Sequence, residues 1–200
     1  MIGIFDSGLG GLTALKEAHW LLPDEDIIYF GDTGRVPYGT KSAGIITKYA
    51  MQDASFLMSK GVKAILVACG TVSTTALDRL KESFPIPITG VVEPAAEAAA
   101  KATKNGRVGI IGTSATVRTG AFDRAVKRYD PEIVTFSQDC PLFVPLVESG
   151  FVGRGCEITR LTCEHYLHAF RDRNIDTLIL GCTHYPIIAD VISDVLPGVT

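Results

Sequence analysis

The stretch Ile65-Leu66-Val67-Ala68-Cys69-Gly70-Thr71 decides the fold. A short run that is apolar at every position suits a strand buried on both faces of a parallel sheet. The cysteine, glycine and hydroxyl that close it mark the turn into a helix. The same design returns as Leu178-Ile179-Leu180-Gly181-Cys182-Thr183-His184. Upstream of each lies a strand that runs out into small polar residues, Gly3-Ile4-Phe5-Asp6-Ser7 in one case and Gly109-Ile110-Ile111-Gly112-Thr113-Ser114 in the other. The chain therefore reads as two similar halves, residues 1–92 and 93–200, each with a cysteine at a strand's carboxyl end.

The rest of the chain extends this pattern. Strands are expected at Ile2–Phe5, Ile27–Phe30, Ala64–Ala68, Ile86–Val91, Val108–Ile111, Ile133–Phe136 and Thr177–Leu180. Helical patterns lie between them, near Gly11–Leu22, Ser42–Lys60, Val72–Ser83, Pro94–Lys104, Arg118–Tyr129, Glu157–Arg173 and Tyr185–Leu196. Such alternation predicts an α/β fold of two doubly wound parallel-sheet domains facing each other across a cleft. Ligands of these sheets bind beyond the carboxyl ends of the strands.

Composition narrows the function. The chain has 200 residues, 46% of them apolar, which excludes wholesale disorder. With 19 basic and 22 acidic side chains the net charge is −3, so a dedicated nucleic-acid binder is not expected. No apolar run approaches the roughly 18 residues that would span a membrane. The five cysteines, at 69, 140, 156, 163 and 182, are odd in number and widely spaced. That argues against a secreted disulfide framework and for a reducing cytoplasm.

Cys69 and Cys182 carry the chemistry. Helix-start amides are expected to lower a thiol's pKa. Two thiols across one cleft suit inversion of a stereocentre, which needs a base on one face of a carbon and an acid on the other. Asp6, Asp32, Glu148 and His184 could tune or orient them, although capping and loop bonding are the plainer roles for the aspartates. Gly8-Leu9-Gly10-Gly11 is not a dinucleotide fingerprint, because Thr13 stands where the last glycine is required. That loop would instead present backbone amides to an anion. Cys156, Cys163, His165 and His168 look faintly like a metal cluster. However, positions 163 and 165 point about 200° apart on a helix, and the spacing matches no usual zinc pattern.

These motifs together resemble glutamate racemase, of the cofactor-independent aspartate/glutamate racemase superfamily. The segments are Asp6–Thr13, Gly31–Gly39, Ala68–Thr71, Val147–Gly150 and Gly181–Pro186, running nearly end to end in family order. The resemblance implies an isomerase without cofactor or metal, supplying D-glutamate for peptidoglycan and hence for cell-wall biogenesis and cell shape. It implies that Cys69 deprotonates D-glutamate and Cys182 deprotonates L-glutamate, with Asp6, Asp32, Glu148 and His184 assisting. It places substrate contacts at Asp6, Ser7, Tyr38, Gly39, Gly70, Thr71, Thr183 and His184. A homo-oligomer, most simply a dimer, is expected, without membrane or nucleic-acid partners.

The chain departs from the family in two ways. Gly70 replaces the usual Asn, removing an amide whose hydrogen bond would contribute about 1.5–3 kcal/mol. This keeps open an alternative substrate such as aspartate; the other alternative is a catalytically impaired glutamate-binding regulator, for which the short C-terminus argues weakly. The family also continues past Thr200 with a segment that returns to the first domain, so an open apolar face is expected there.

Overall fold

The computed structural model describes residues 1–200. The first unit runs β1 (Ile2–Asp6), α1 (Leu12–Leu21), β2 (Ile27–Gly31), α2 (Ala43–Ser59), β3 (Ala64–Val67), α3 (Gly70–Thr75), α4 (Leu77–Ser83) and β4 (Ile88–Gly90). The second begins with α5 (Val92–Ala102), β5 (Arg107–Gly112), α6 (Ser114–Thr119), α7 (Ala121–Tyr129) and β6 (Val134–Asp139). It continues through α8 (Phe143–Glu148), α9 (Glu157–Arg171), β7 (Thr177–Leu180), a 3₁₀ turn (Tyr185–Ile188) and α10 (Ala189–Val195).

Each unit is built on a parallel sheet, ordered β2-β1-β3-β4 in the first and β6-β5-β7 in the second. β1 lies between β2 and β3 just as β5 lies between β6 and β7. Cys69 and Cys182 therefore follow topologically equivalent strands. Phe5, Ile65 and Val67 of the first sheet pack against Ile46, Ala50, Leu57, Val72 and Leu80 of its helices. The second sheet has a core on each side, one around Val108, Ile110 and Phe122, the other around Ile111, Phe143 and Leu167.

Local chemistry moved several boundaries. The strand expected over Ile86–Val91 shrinks to Ile88–Gly90, since Pro85 and Pro87 lack the N–H a ladder needs. The helix expected over Val72–Ser83 breaks at Ala76. The Arg118–Tyr129 helix becomes two, hinged at Gly120 with φ +63°. α8 was not expected, its short apolar run being set among Pro141, Pro145 and Gly150.

The two units finish their surfaces differently. α1 buries none of its residues, and Trp20 and Leu21 are 75% and 65% exposed. α10 buries Val191, Ile192 and Val195. Beside β7, Leu178 N–H donates to the Thr200 carbonyl at 2.8 Å, and Thr200 N–H donates to the Asp176 carbonyl at 2.9 Å. No helix is long and apolar enough to cross a membrane.

Candidate active site

The site is assembled where the carboxyl ends of the two sheets meet. Cys69 sits just before α3 with extended backbone, and Cys182 follows β7. Both side chains are buried. Their flanking glycines touch: a Cβ on Gly70 would overlap the carbonyl oxygen of Gly181. At this spacing an Asn side chain does not fit at position 70, so Gly70 sets how closely the units approach. A cavity of about 320 Å³ beside them is lined by Thr13, Ala68, Gly70, Gly181, Cys182 and Thr183, among others.

The surroundings of Cys69 are hydroxylic and acidic. Its Sγ lies 3.6 Å from Ser7 Oγ. Burial pushes the Cys69 thiol up to about 12, and the charge of nearby Asp6 adds to the rise. The expected lowering by a helix-start amide is present, through the Val72 N–H group, and the Ser7 amide adds to it from the loop after β1, but burial outweighs both. A six-residue helix offers only a modest dipole, whereas a thiolate stripped of water loses its whole hydration shell.

Cys182 is served by a relay. Its Sγ is 3.7 Å from His184 Nδ1, and His184 Nε2 is 2.6 Å from Glu148 Oε1. Glu148 is the last residue of α8, the helix the pattern missed, and it reaches the site from there. Burial again drives the thiol upward, opposed by the His184 amide, and a charge on Cys69 raises it further. The two thiols thus sense each other.

Asp6 ties the halves together. One carboxylate oxygen accepts from the Gly8 and Gly11 amides at 3.1 Å each, and the other accepts from the Thr183 hydroxyl at 3.2 Å. Asp6 therefore caps its own loop and grips the opposite unit. Burial raises its carboxyl above the ordinary range, while the charge of His184 opposes this.

Asp32 and Tyr38 bond within their own loop. Asp32 bonds neither thiol; its carboxylate receives the Tyr38 hydroxyl and the Arg35 guanidinium. Its place directly after β2 aims it at its own loop. The Tyr38 side chain is buried and also engaged, so only the backbone of Tyr38 is free to meet a ligand. The amides of Tyr38, Gly39 and Thr183 donate to no protein group. Such unpaired N–H groups suit a carboxylate.

A hydroxyl cluster completes the site. Thr71 Oγ1 lies 2.9 Å from Thr113 Oγ1 and 3.3 Å from Thr116 Oγ1, and the latter two are 3.0 Å apart. The sequence pattern marked Thr113 only as the end of a repeated strand, and it missed Thr116. The signal was the N-cap spacing, since Thr113 accepts the Thr116 amide at 3.2 Å. Away from the site, Cys163 is buried in the core whereas His165 and His168 face outward. No three His, Cys, Asp or Glu side chains converge to hold a metal ion.

Two parallel α/β units with a thiol at the matching strand end of each define a protein built for acid/base chemistry on a small molecule held between them. Residues 18–200 match the Asp/Glu/Hydantoin racemase family, and the chain belongs to it. It is 51% identical over 195 residues to a glutamate racemase of Geobacter metallireducens, covering 98% of this chain and 72% of the relative. A glutamate racemase from Francisella tularensis, solved in complex with D-glutamate, superimposes with a TM-score of 0.91 at 45% identity, over 98% of this chain and 73% of that one. The glutamate racemase isoform RacE1 of Bacillus anthracis gives a TM-score of 0.93 at 37% identity, covering 100% of this chain and 75% of that one.

Proposed function

We propose that this protein interconverts L- and D-glutamate, using Cys69 and Cys182 as a pair of acid/base groups. The single observation carrying this is the presence of two buried thiols at equivalent strand ends of two abutting units. One thiolate takes the α-proton from one face of the substrate, and the opposite thiol returns a proton to the other face. The enzyme leaves the turnover with the two protonation states exchanged, so the reverse reaction uses the same groups. Cys69 acts on D-glutamate and Cys182 on L-glutamate.

The environment suits this work. Burial keeps Cys69 protonated near neutral pH before substrate arrives. A substrate ammonium beside the thiols favours the thiolate by charge attraction, so activation is coupled to binding. Burial also makes that thiolate a strong base. His184 and Glu148 carry charge away from Cys182, while Asp6 and Ser7 flank Cys69. The amides of Tyr38, Gly39 and Thr183 and the Thr71, Thr113 and Thr116 hydroxyls would receive the substrate carboxylates. Gly70 would contribute only its backbone.

In this reading the units divide near residue 92 and the protein works in the cytoplasm as a dimer, supplying D-glutamate for peptidoglycan. The test is incubation of each enantiomer in D₂O, following optical rotation and α-proton exchange. Racemisation with solvent deuterium incorporation from both enantiomers is expected. Exchange from neither overturns the assignment.

A further inference from the structure

Behind the site, a buried carboxylate remains without a role. Asp53 lies on α2 with its side chain fully shielded from solvent. Its Oδ2 is 3.0 Å from the Tyr38 hydroxyl, which also meets Asp32 Oδ2. Arg35 binds both carboxylates, with Nε 2.5 Å from Asp32 Oδ2 and Nη2 2.8 Å from Asp53 Oδ1. The guanidinium is stacked over the Tyr49 ring at 4.3 Å and held by Gln52 Oε1 at 2.5 Å.

Proton counting decides the state of this cluster. A phenol has one proton and can donate to only one of two carboxylates. The second contact is a hydrogen bond only if that carboxyl carries a proton and donates to the phenol oxygen. Charge leads to the same answer, since Arg35 supplies one positive charge against two carboxylates. Asp53 is the more deeply buried of the pair, so the proton belongs there.

Resting on the racemase reading above, we propose that Asp53 is a positioning residue: as a neutral acid it donates to Tyr38, Tyr38 donates to Asp32, and this chain holds the Val36–Thr40 segment against the second unit. Burial, reinforced by Asp32, lifts Asp53 to about 7 against the opposing pull of Tyr38 and Arg35. Asp32, Arg35 and Tyr38 are the titratable groups that act on it. The elements packed on α2 meet it through apolar residues such as Phe5, Phe30, Val72 and Leu80.

The consequence lies one residue on from Tyr38. The Gly39 carbonyl accepts the Ala115 amide of α6 at 3.1 Å. A Cβ on Gly39 would come within 2.5 Å of Thr113. Gly39 thus rests directly on the hydroxyl cluster of the other unit. Loss of the Tyr38 anchor frees this contact and the two amides expected to seat a substrate carboxylate.

The experiment compares D53N and D53A with wild type. An Asn amide donates to Tyr38 as the neutral acid does, but it does not titrate. For wild type, kcat/KM should fall as pH rises through about 7. D53N should retain activity within about threefold at pH 6 and lose that fall, whereas D53A should raise KM about tenfold or more with kcat little changed. A D53N profile that superimposes on the wild-type one, or an unchanged KM in D53A, overturns the proposal. A second measurement needs no substrate. Because the folded pKa is raised, wild-type stability relative to D53N should be greatest below about pH 4 and decline as pH climbs to 7. Parallel melting curves for the two across that range would also overturn it. If wild type racemises neither enantiomer, the racemase assignment fails while the melting comparison still decides the proton on Asp53.

Discussion

Cys69 and Cys182 hold the same place in two sheets of the same design, and yet their surroundings differ. Cys69 has a hydroxyl at 3.6 Å and a buried carboxylate, Asp6, nearby. Cys182 has an imidazole at 3.7 Å, backed by a carboxylate 2.6 Å further on. Duplicated topology reproduces the position of a functional group, because position follows from strand order. It does not reproduce the titratable support, because that comes from loops and from α8, which has no counterpart in the first unit. Two thiols that burial makes unwilling to ionise are therefore helped by different means.

The hardest blow to this comparison comes from replacing the thiols. C69S and C182S should each lower racemisation by about 10³-fold or more, since a serine hydroxyl is a far weaker acid. Polarimetry on either enantiomer reads the loss. Near-wild-type turnover in one variant would mean that only a single thiol works.

A smaller and more telling effect is expected from H184N and E148Q, which act most directly on the Cys182 side. Both should lower kcat/KM by about 10–100-fold. Enantiomers have equal free energy, so kcat/KM must fall equally in both directions and any asymmetry must appear elsewhere. The α-deuterium isotope effect on kcat should grow for L-glutamate and change little for D-glutamate. Equal growth for both would show that the relay serves both thiols.

G70N tests the seam between the corners. The new side chain has to displace the Gly181 carbonyl, parting the two thiols. A loss of roughly tenfold in kcat/KM and a lower Tm are expected, in contrast to the gain that a restored amide would bring. Higher affinity for glutamate in G70N would show that the seam opens readily. The slightest change should come from S7A, because a long thiol–hydroxyl contact is a weak hydrogen bond. A threefold loss or less in kcat, measured at saturating substrate, would fit; a loss equal to that of H184N would make the two corners alike.

Much of this was legible in the chain. Runs such as Ile65–Val67 and Leu178–Leu180 are apolar at every position, which leaves a two-faced buried strand as the economical solution. The positions of Cys69 and Cys182 follow from where those runs stop. The helix breaks at Ala76 and Gly120 were harder to see, because flanking positions keep a helical period across them. α8 was invisible for the opposite reason, its six residues being too few to show a period between prolines and a glycine.

The sequence by itself thus determined the alternation of strands and helices, the pairing of two like units and a thiol at the matching strand end of each. Local pattern suffices for these, since hydrophobic period and turn residues act over a few positions. Only the tertiary structure decided which groups attend each thiol. It turned Asp32 toward Tyr38 and Arg35, brought Glu148 to His184 across 36 residues, and set Asp53 behind the site. It also reversed the expected lowering of the thiol pKa values. Their desolvation depends on how two units close over them, and no stretch of sequence near either cysteine records that.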